Sequence, residues 1–356
     1  MVVPDAEKIL FAPFQMYDTG NVTLVDYMGG DEMVARVATA GRGVDIFPER
    51  PDTVSFVHHL ASSGIVEPFR SVQLKFKIQS PISVALSLVY AKEASVNEYS
   101  GRYSKMLEGC FTPSIDTLVD TMTKESFDEL TNRQNASTAR EIMLEARRKN
   151  YEGYEWLVGK DVDLARELAR AALEVDNDTI YFWKMELPAL ASFIKNYRAR
   201  TPRGLPLHDY LDKLEEIAAA VAPQSTRSLV LGYVSNDPII NLTMPKDDAV
   251  VDPLLSPAAW EPRATRRPVV PNLEKRLFEP VEFLGKGEVQ VVDYMGYDSS
   301  PADAARVSYG AGTRKLQDDK HLIRYLRRHK HTTPFELSEI AFDAKTPVLV
   351  DPRQAG

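Results

Sequence analysis

The chain has 356 residues, a formal charge of −8 and a sequence pI near 5.4, long enough for about two domains and too acidic for a general nucleic-acid binder. Its single cysteine, Cys110, excludes an intrachain disulfide framework and a multi-cysteine zinc site, and fits a reducing, cytoplasmic compartment. The N-terminus lacks the basic and apolar stretches of a signal peptide and no apolar run approaches the ~20 residues of a membrane span, so the expectation is a protein without a membrane partner.

Taken in chain order, Val22–Tyr27 and the alternating Val72–Ile78 are predicted strands. Predicted helices follow over Thr138–Leu157, with Ser137 as N-cap, over Asp163–Leu173, over Phe182–Arg198 interrupted at Pro188, and over Leu207–Ala222. Seven prolines between Pro238 and Pro271 mark a semi-extended linker placed at 235–280. Beyond it come a predicted strand, Val289–Tyr294, and a helix, His321–Arg328.

The second strand repeats the first. Val22-Thr-Leu-Val-Asp-Tyr-Met-Gly29 is echoed by Val289-Gln-Val-Val-Asp-Tyr-Met-Gly296, Ala35–Val37 by Ala305–Val307, and Glu67-Pro-Phe69 by Thr333-Pro-Phe335. A register kept over that span indicates one unit present twice. The reading is an α+β unit at 14–226, with mixed helices around a central antiparallel sheet, then the linker and the N-terminal half of a second unit at 282–356.

Two segments concentrate reactive side chains. Ser95-Val-Asn-Glu-Tyr-Ser-Gly-Arg-Tyr-Ser104 has the donors of a phosphate-wrapping loop, and equally those of a polar turn with Arg102 in a surface ion pair. Arg328-His-Lys-His-Thr-Thr-Pro-Phe-Glu336 ends a basic helix in a histidine-rich turn suited to an anion. Two histidines two residues apart lack the i,i+4 spacing of helical metal ligands, so no metal is expected.

The order of these pieces resembles the flavin-dependent thymidylate synthases (ThyX), over about 14–226 and again over 282–350. Val292–Gly296, Ala304–Ser308 and Arg328–Glu336 follow that family's motifs nearly verbatim. Its signature, Arg-His-Arg-x-x-Ser-x-Asn-x-x-Ser-x-Arg, falls on Tyr90-Ala-Lys-Glu-Ala-Ser-Val-Asn-Glu-Tyr-Ser-Gly-Arg102, of which the second half survives. Val350-Asp-Pro-Arg-Gln354 is similar to that family's Val-Ala-Arg-Gln element with one extra residue, so the second unit ends before the signature.

The resemblance implies methylation of dUMP with methylenetetrahydrofolate as carbon donor, NADPH as reductant, FAD as cofactor, and a homotetramer-like assembly. It implies dUMP contacts from Glu98, Ser100, Gly101, Arg102 and Arg170, the last in the motif Arg166-Glu-Leu-Ala-Arg170, and FAD contacts from Arg328, His329, His331 and Thr333. The arginine that helps ionise the uracil falls near Tyr197, which makes Arg198 its candidate one residue out of register. In the first unit Tyr90, Ala91 and Lys92 replace the Arg-His-Arg that holds flavin, and Ile65 stands where a histidine would. Three readings follow: a working synthase, a catalytically lapsed nucleotide-binding or scaffolding homologue, and an inactive fragment of a longer two-domain enzyme. Cys110, with no neighbouring base in sequence, reads as a packed thiol rather than the nucleophile of a cysteine-dependent synthase.

Overall fold

A computed structural model describes residues 2–40, 53–122, 128–201, 204–232, 265–283, 285, 287–307 and 318–346. In chain order its elements begin with α1 (Pro4–Ile9), β1 (Pro13–Gln15), β2 (Asn21–Met28), α2 (Asp31–Ala40) and α3 (Thr53–Ser62). A 3-10 turn, Glu67–Ser71, leads into β3 (Gln73–Pro81), α4 (Ile82–Val89), β4 (Ser95–Glu98), α5 (Ile115–Thr121) and α6 (Glu129–Val158). Then come α7 (Arg166–Ala169), β5 (Asp178–Glu186), α8 (Leu187–Arg198), α9 (Pro206–Val221) and α10 (Pro223–Arg227). The last segment holds α11 (Pro271–Glu274), β6 (Val281–Phe283), β7 (Gly287–Met295), α12 (Ser300–Val307), α13 (Asp319–Arg328) and β8 (Glu339–Lys345).

The strands form a five-stranded antiparallel sheet, β1-β2-β3-β5-β4, and a three-stranded antiparallel sheet, β6-β7-β8. Mixed helices and antiparallel sheet agree with the expected α+β class. On the first sheet Val22, Leu24, Phe76, Ile78, Tyr181 and Trp183 share one buried core with Leu190 and Ile194 of α8 and with Tyr210 and Leu214 of α9. Trp183 also donates its indole N–H to the Leu88 carbonyl at 2.9 Å, which satisfies the polar atom of the largest buried side chain.

Three helix expectations are corrected. Ser137 lies inside α6; the helix starts earlier because Asp128 accepts the Thr131 N–H at 2.9 Å as its N-cap. Residues 163–173 do not form one helix, since Asp163 takes a left-handed φ of 49° and α7 tightens after one turn into a 3-10 turn, Arg170–Ala172. Phe182–Arg198 is a strand followed by a helix: Phe182–Glu186 pair with β3, and Pro188 occupies the first turn of α8, where its missing N–H is no loss.

The two segments that echo each other in sequence also share local geometry. Each central strand has one β-bulge, between Leu24 and Asp26 in β2 and between Val291 and Asp293 in β7. Val3 N donates to Tyr27 Oη and Val270 N to Tyr294 Oη, both at 2.9 Å. Phe11 N donates to Leu24 O and Phe278 N to Val291 O, with left-handed φ of 64° and 61°. These correspondences begin upstream of residues 14 and 282. Of the stretch read as a linker, 235–264 lie outside the described residues; from Thr265 the chain is packed, with Arg267 buried.

A bulge makes two residues oppose one and turns the next side chain to the other face. Asp26 therefore leaves the Phe76 face and stands opposite Lys75. On that face the two segments meet in a reciprocal contact: Asp26 Oδ2 accepts Gly296 N–H at 2.7 Å and Asp293 Oδ2 accepts Gly29 N–H at 2.9 Å. Arg267 lies between the carboxylates, 3.3 Å from each, with its guanidinium over the Tyr27 ring. Lys75 is buried here; it lies 3.5 Å from Asp26 and donates to Leu337 O at 3.2 Å.

Candidate functional site

β4 carries the first cluster. Its residues pair with β5, Ser95 opposite Lys184 through Glu98 opposite Tyr181, and Tyr99 N–H extends the ladder to Ile180 O at 2.7 Å. The chain then turns on the Ser100 carbonyl, which accepts Tyr103 N–H and Ser104 N–H at 3.2 and 3.1 Å. α6 braces this turn from behind: Tyr154 Oη accepts Met106 N–H at 2.9 Å.

This folding brings Glu98, Ser100, Gly101, Arg102 and Arg170 together. Gly101 is buried so closely that a Cβ there would stand 2.6 Å from Met106 Sδ and 3.5 Å from Cδ of Arg170. Arg170, the first residue of the 3-10 turn after α7, is exposed, and its side chain makes no hydrogen bond or ion pair among the described residues. Desolvation holds the Glu98 carboxyl above the usual range, opposed by the Thr179 hydroxyl, which donates to it at 3.0 Å, and by the Arg170 charge.

Arg102 forms the surface ion pair that the polar-turn reading expects, 2.8 Å from Glu167. Two residues missed as site candidates stand in the quoted Arg166–Arg170 motif. Arg166 donates to the Tyr103 carbonyl at 2.6 Å and Glu167 holds Arg102, so α7 lines one side of an open groove of about 480 Å³ beside the turn. Their signal was the motif itself, whose one-turn helix presents Arg166 and Arg170 on one side.

The second cluster ends α13, whose Leu322 and Leu326 pack on Ala302 and Ala305. His331 N–H donates to Leu326 O and Lys330 N–H to Arg327 O, at 2.9 and 3.2 Å, around a left-handed Lys330 with φ of 57°. That is the Schellman pattern, usually built on glycine; a lysine there strains the backbone by about 1–2 kcal/mol. Arg328, His329, His331 and Thr333 are all exposed around it, and the His329 ring lies 4.3 Å from that of Tyr325. The two histidine rings are 6.4 Å apart, and no group of three metal-ligand side chains occurs among the described residues.

The clusters belong to adjoining elements. The 3-10 turn Phe335–Leu337 and α12 both pack on β4, and the buried Asn97 amide donates to the Ala304 carbonyl. Arg198 is held elsewhere, at the end of α8, 2.6 Å from both Asp212 and Glu215 of α9; although burial opposes its charge, those carboxylates keep it fully protonated. Tyr90 is 76% exposed and Ile65 lies at the surface. Val350–Gln354 lies outside the described residues. No helix among the described residues is long and apolar enough to cross a membrane.

A family model described as "Thymidylate synthase complementing protein" matches residues 23–224 and 290–351. Flavin-dependent thymidylate synthases of Gluconobacter oxydans and Rickettsia bellii are 56% identical over 90 residues and 55% over 87. Those stretches are 25% and 24% of this chain and 30% of each relative, so the chain spans less than a third of the curated relatives it matches. Among solved structures, a UMP/dUMP methylase PolB from Streptomyces cacaoi bound with 5-Br UMP is similar at a TM-score of 0.49 and 20% identity, covering 60% of this chain and 95% of that one.

Proposed function

The chain belongs to the thymidylate synthase complementing protein family, and from that membership we propose that it is a flavin-dependent thymidylate synthase-like protein whose nucleotide site is the turn after β4. The family reaction converts dUMP, methylenetetrahydrofolate and NADPH to dTMP and tetrahydrofolate. The observation that carries the reading is the close approach of Gly101 to Arg170, with Arg102 of the same turn lining an open groove. Arg170 is an exposed residue whose guanidinium suits a phosphate. The Arg102–Glu167 pair is half-exposed and therefore weak, so an incoming phosphate can take Arg102 from Glu167. Glu98 and Ser100 complete the polar rim, and the protein's task is to orient the nucleotide.

The second segment fits a flavin: Arg328, His329, His331 and Thr333 present exposed cationic and polar groups that suit an anionic diphosphate. Bound there, FAD would supply the reducing equivalent. The two segments read as one complete unit and one half unit, 14–226 and 282–356, with complementary site residues that adjoin at β4. The first segment does not fit a flavin, since Tyr90, Ala91 and Lys92 offer no guanidinium fork. That substitution favours a second reading, a nucleotide-binding homologue without turnover unless another polypeptide in a homotetramer-like assembly, or a longer two-domain enzyme, supplies the missing Arg-His-Arg. On this reading Arg198 serves α8–α9 packing rather than uracil ionisation.

The test is direct. The purified chain is titrated with FAD and with dUMP, and then assayed for dTMP with methylenetetrahydrofolate and NADPH. We expect dUMP to bind and Arg170→Ala to weaken it about tenfold, the loss of one charge-assisted contact. dTMP formation would remove the lapsed reading; absence of any dUMP binding would remove both.

A further inference from the structure

β3 and β8 correspond in the two segments, yet their surroundings differ. β3 is paired on both sides, by β2 and by β5, whereas among the described residues β8 is paired by β7 and ends its sheet. Leu74 and Phe76 of β3 are completely buried, opposite Met185 and Trp183 of β5. The corresponding Ile340 and Phe342 of β8 are 50% and 60% exposed. An edge strand with large apolar side chains on one face is a ready template for another strand.

We propose that the free edge of β8 docks an extended, antiparallel strand from a second polypeptide, one with large apolar side chains at alternate positions as in β5. The molecule itself shows what covers this kind of edge. In the first sheet Phe76 and Trp183 rings lie 5.9 Å apart across the β3–β5 ladder, and Phe342 takes the place of Phe76. No strand of this chain is free to do the same among the described residues, because β5 already lies between β3 and β4. Side chains at every second position of the incoming strand would meet Ile340, Phe342 and Ala344, and its backbone would satisfy the outward groups of β8. The inference rests on reading the two segments as copies of one unit.

The probe is a labelled peptide with the sequence of Asp178–Glu186, titrated against the full chain without nucleotide or flavin. Saturable binding is expected, with slowed amide exchange in Glu339–Lys345. Phe342→Asp, at an exposed position, should keep the parent's circular dichroism and weaken the peptide about tenfold or more, the loss of an aromatic pair with its buried area. A peptide with the same composition in scrambled order should not bind. Failure of the native peptide to bind, or equal binding to the Phe342→Asp chain, overturns the proposal. So does a dimer that Phe342→Asp dissociates and the peptide leaves intact, since β8 would then pair with its own copy. Failed dUMP binding leaves these readouts unchanged, so the two readings fall separately.

Discussion

At Cys110 the chemistry is decided by burial. The residue is buried, forms an isolated bridge with Asn177, and directs its Sγ toward the Phe111 carbonyl. Desolvation pushes the thiol up to about 12, with Asp176 and Glu174 adding to it against the Arg147 charge. A raised value means that the neutral thiol prevails through the physiological range and the reactive thiolate appears only in strong alkali. Iodoacetamide at pH 8 should therefore leave the folded chain unmodified and alkylate it fully in urea. Rapid modification of the native protein would show an accessible thiolate. The packed thiol was legible because no base stands beside Cys110 in sequence; the roles of Arg166 and Glu167 were not, because a partner for Tyr103 O and Arg102 exists only once α7 folds back on the turn.

Among the elements, α8 shows how one proline changes meaning with its neighbours. Pro188 reads as a break if Phe182–Arg198 is one helix. In the structure it starts α8, and the preceding Leu187 N–H donates to Val72 O at 2.9 Å, tying the helix to the sheet. A first-turn proline is preorganised, so Pro188→Ala should lower stability by ~0.4–1 kcal/mol in urea unfolding. A mid-helix proline would give the opposite sign, a gain of up to about 3 kcal/mol on replacement. Strand and helix share a stretch of apolar residues there, and periodicity alone cannot divide it. The pairing of β5 with β3 does. Capping shows the same limit: Ser137 and Asp128 both have cap chemistry, and only the backbone bond from Thr131 chooses.

On the scale of the whole molecule the two segments are joined by buried charge. Asp26 and Asp293 face each other with Arg267 between them, all almost wholly buried. Removing the central cation leaves two carboxylates without their shared partner, and breaking a buried pair costs about 3–5 kcal/mol. Arg267→Met should lower urea stability by that order, and adding Asp26→Asn and Asp293→Asn should recover part of it. An Arg267→Met chain as stable as the parent would show that the cluster does not hold the segments together.

The sequence by itself determined the α+β class, the echo of one strand and turn pattern in a second segment, and the family motifs, because these are local patterns of residue type and spacing. It placed β2, β7 and α9 to within a residue or two. Only the tertiary structure decided which face Asp26 and Lys75 occupy, since a bulge of one residue reverses the alternation, and that a cation from the proline-rich stretch sits between two aspartates far apart in the chain. It also decided that β4 abuts the Phe335–Leu337 turn of the other segment. Contacts between distant residues depend on how sheets twist and pack, and no local period encodes them.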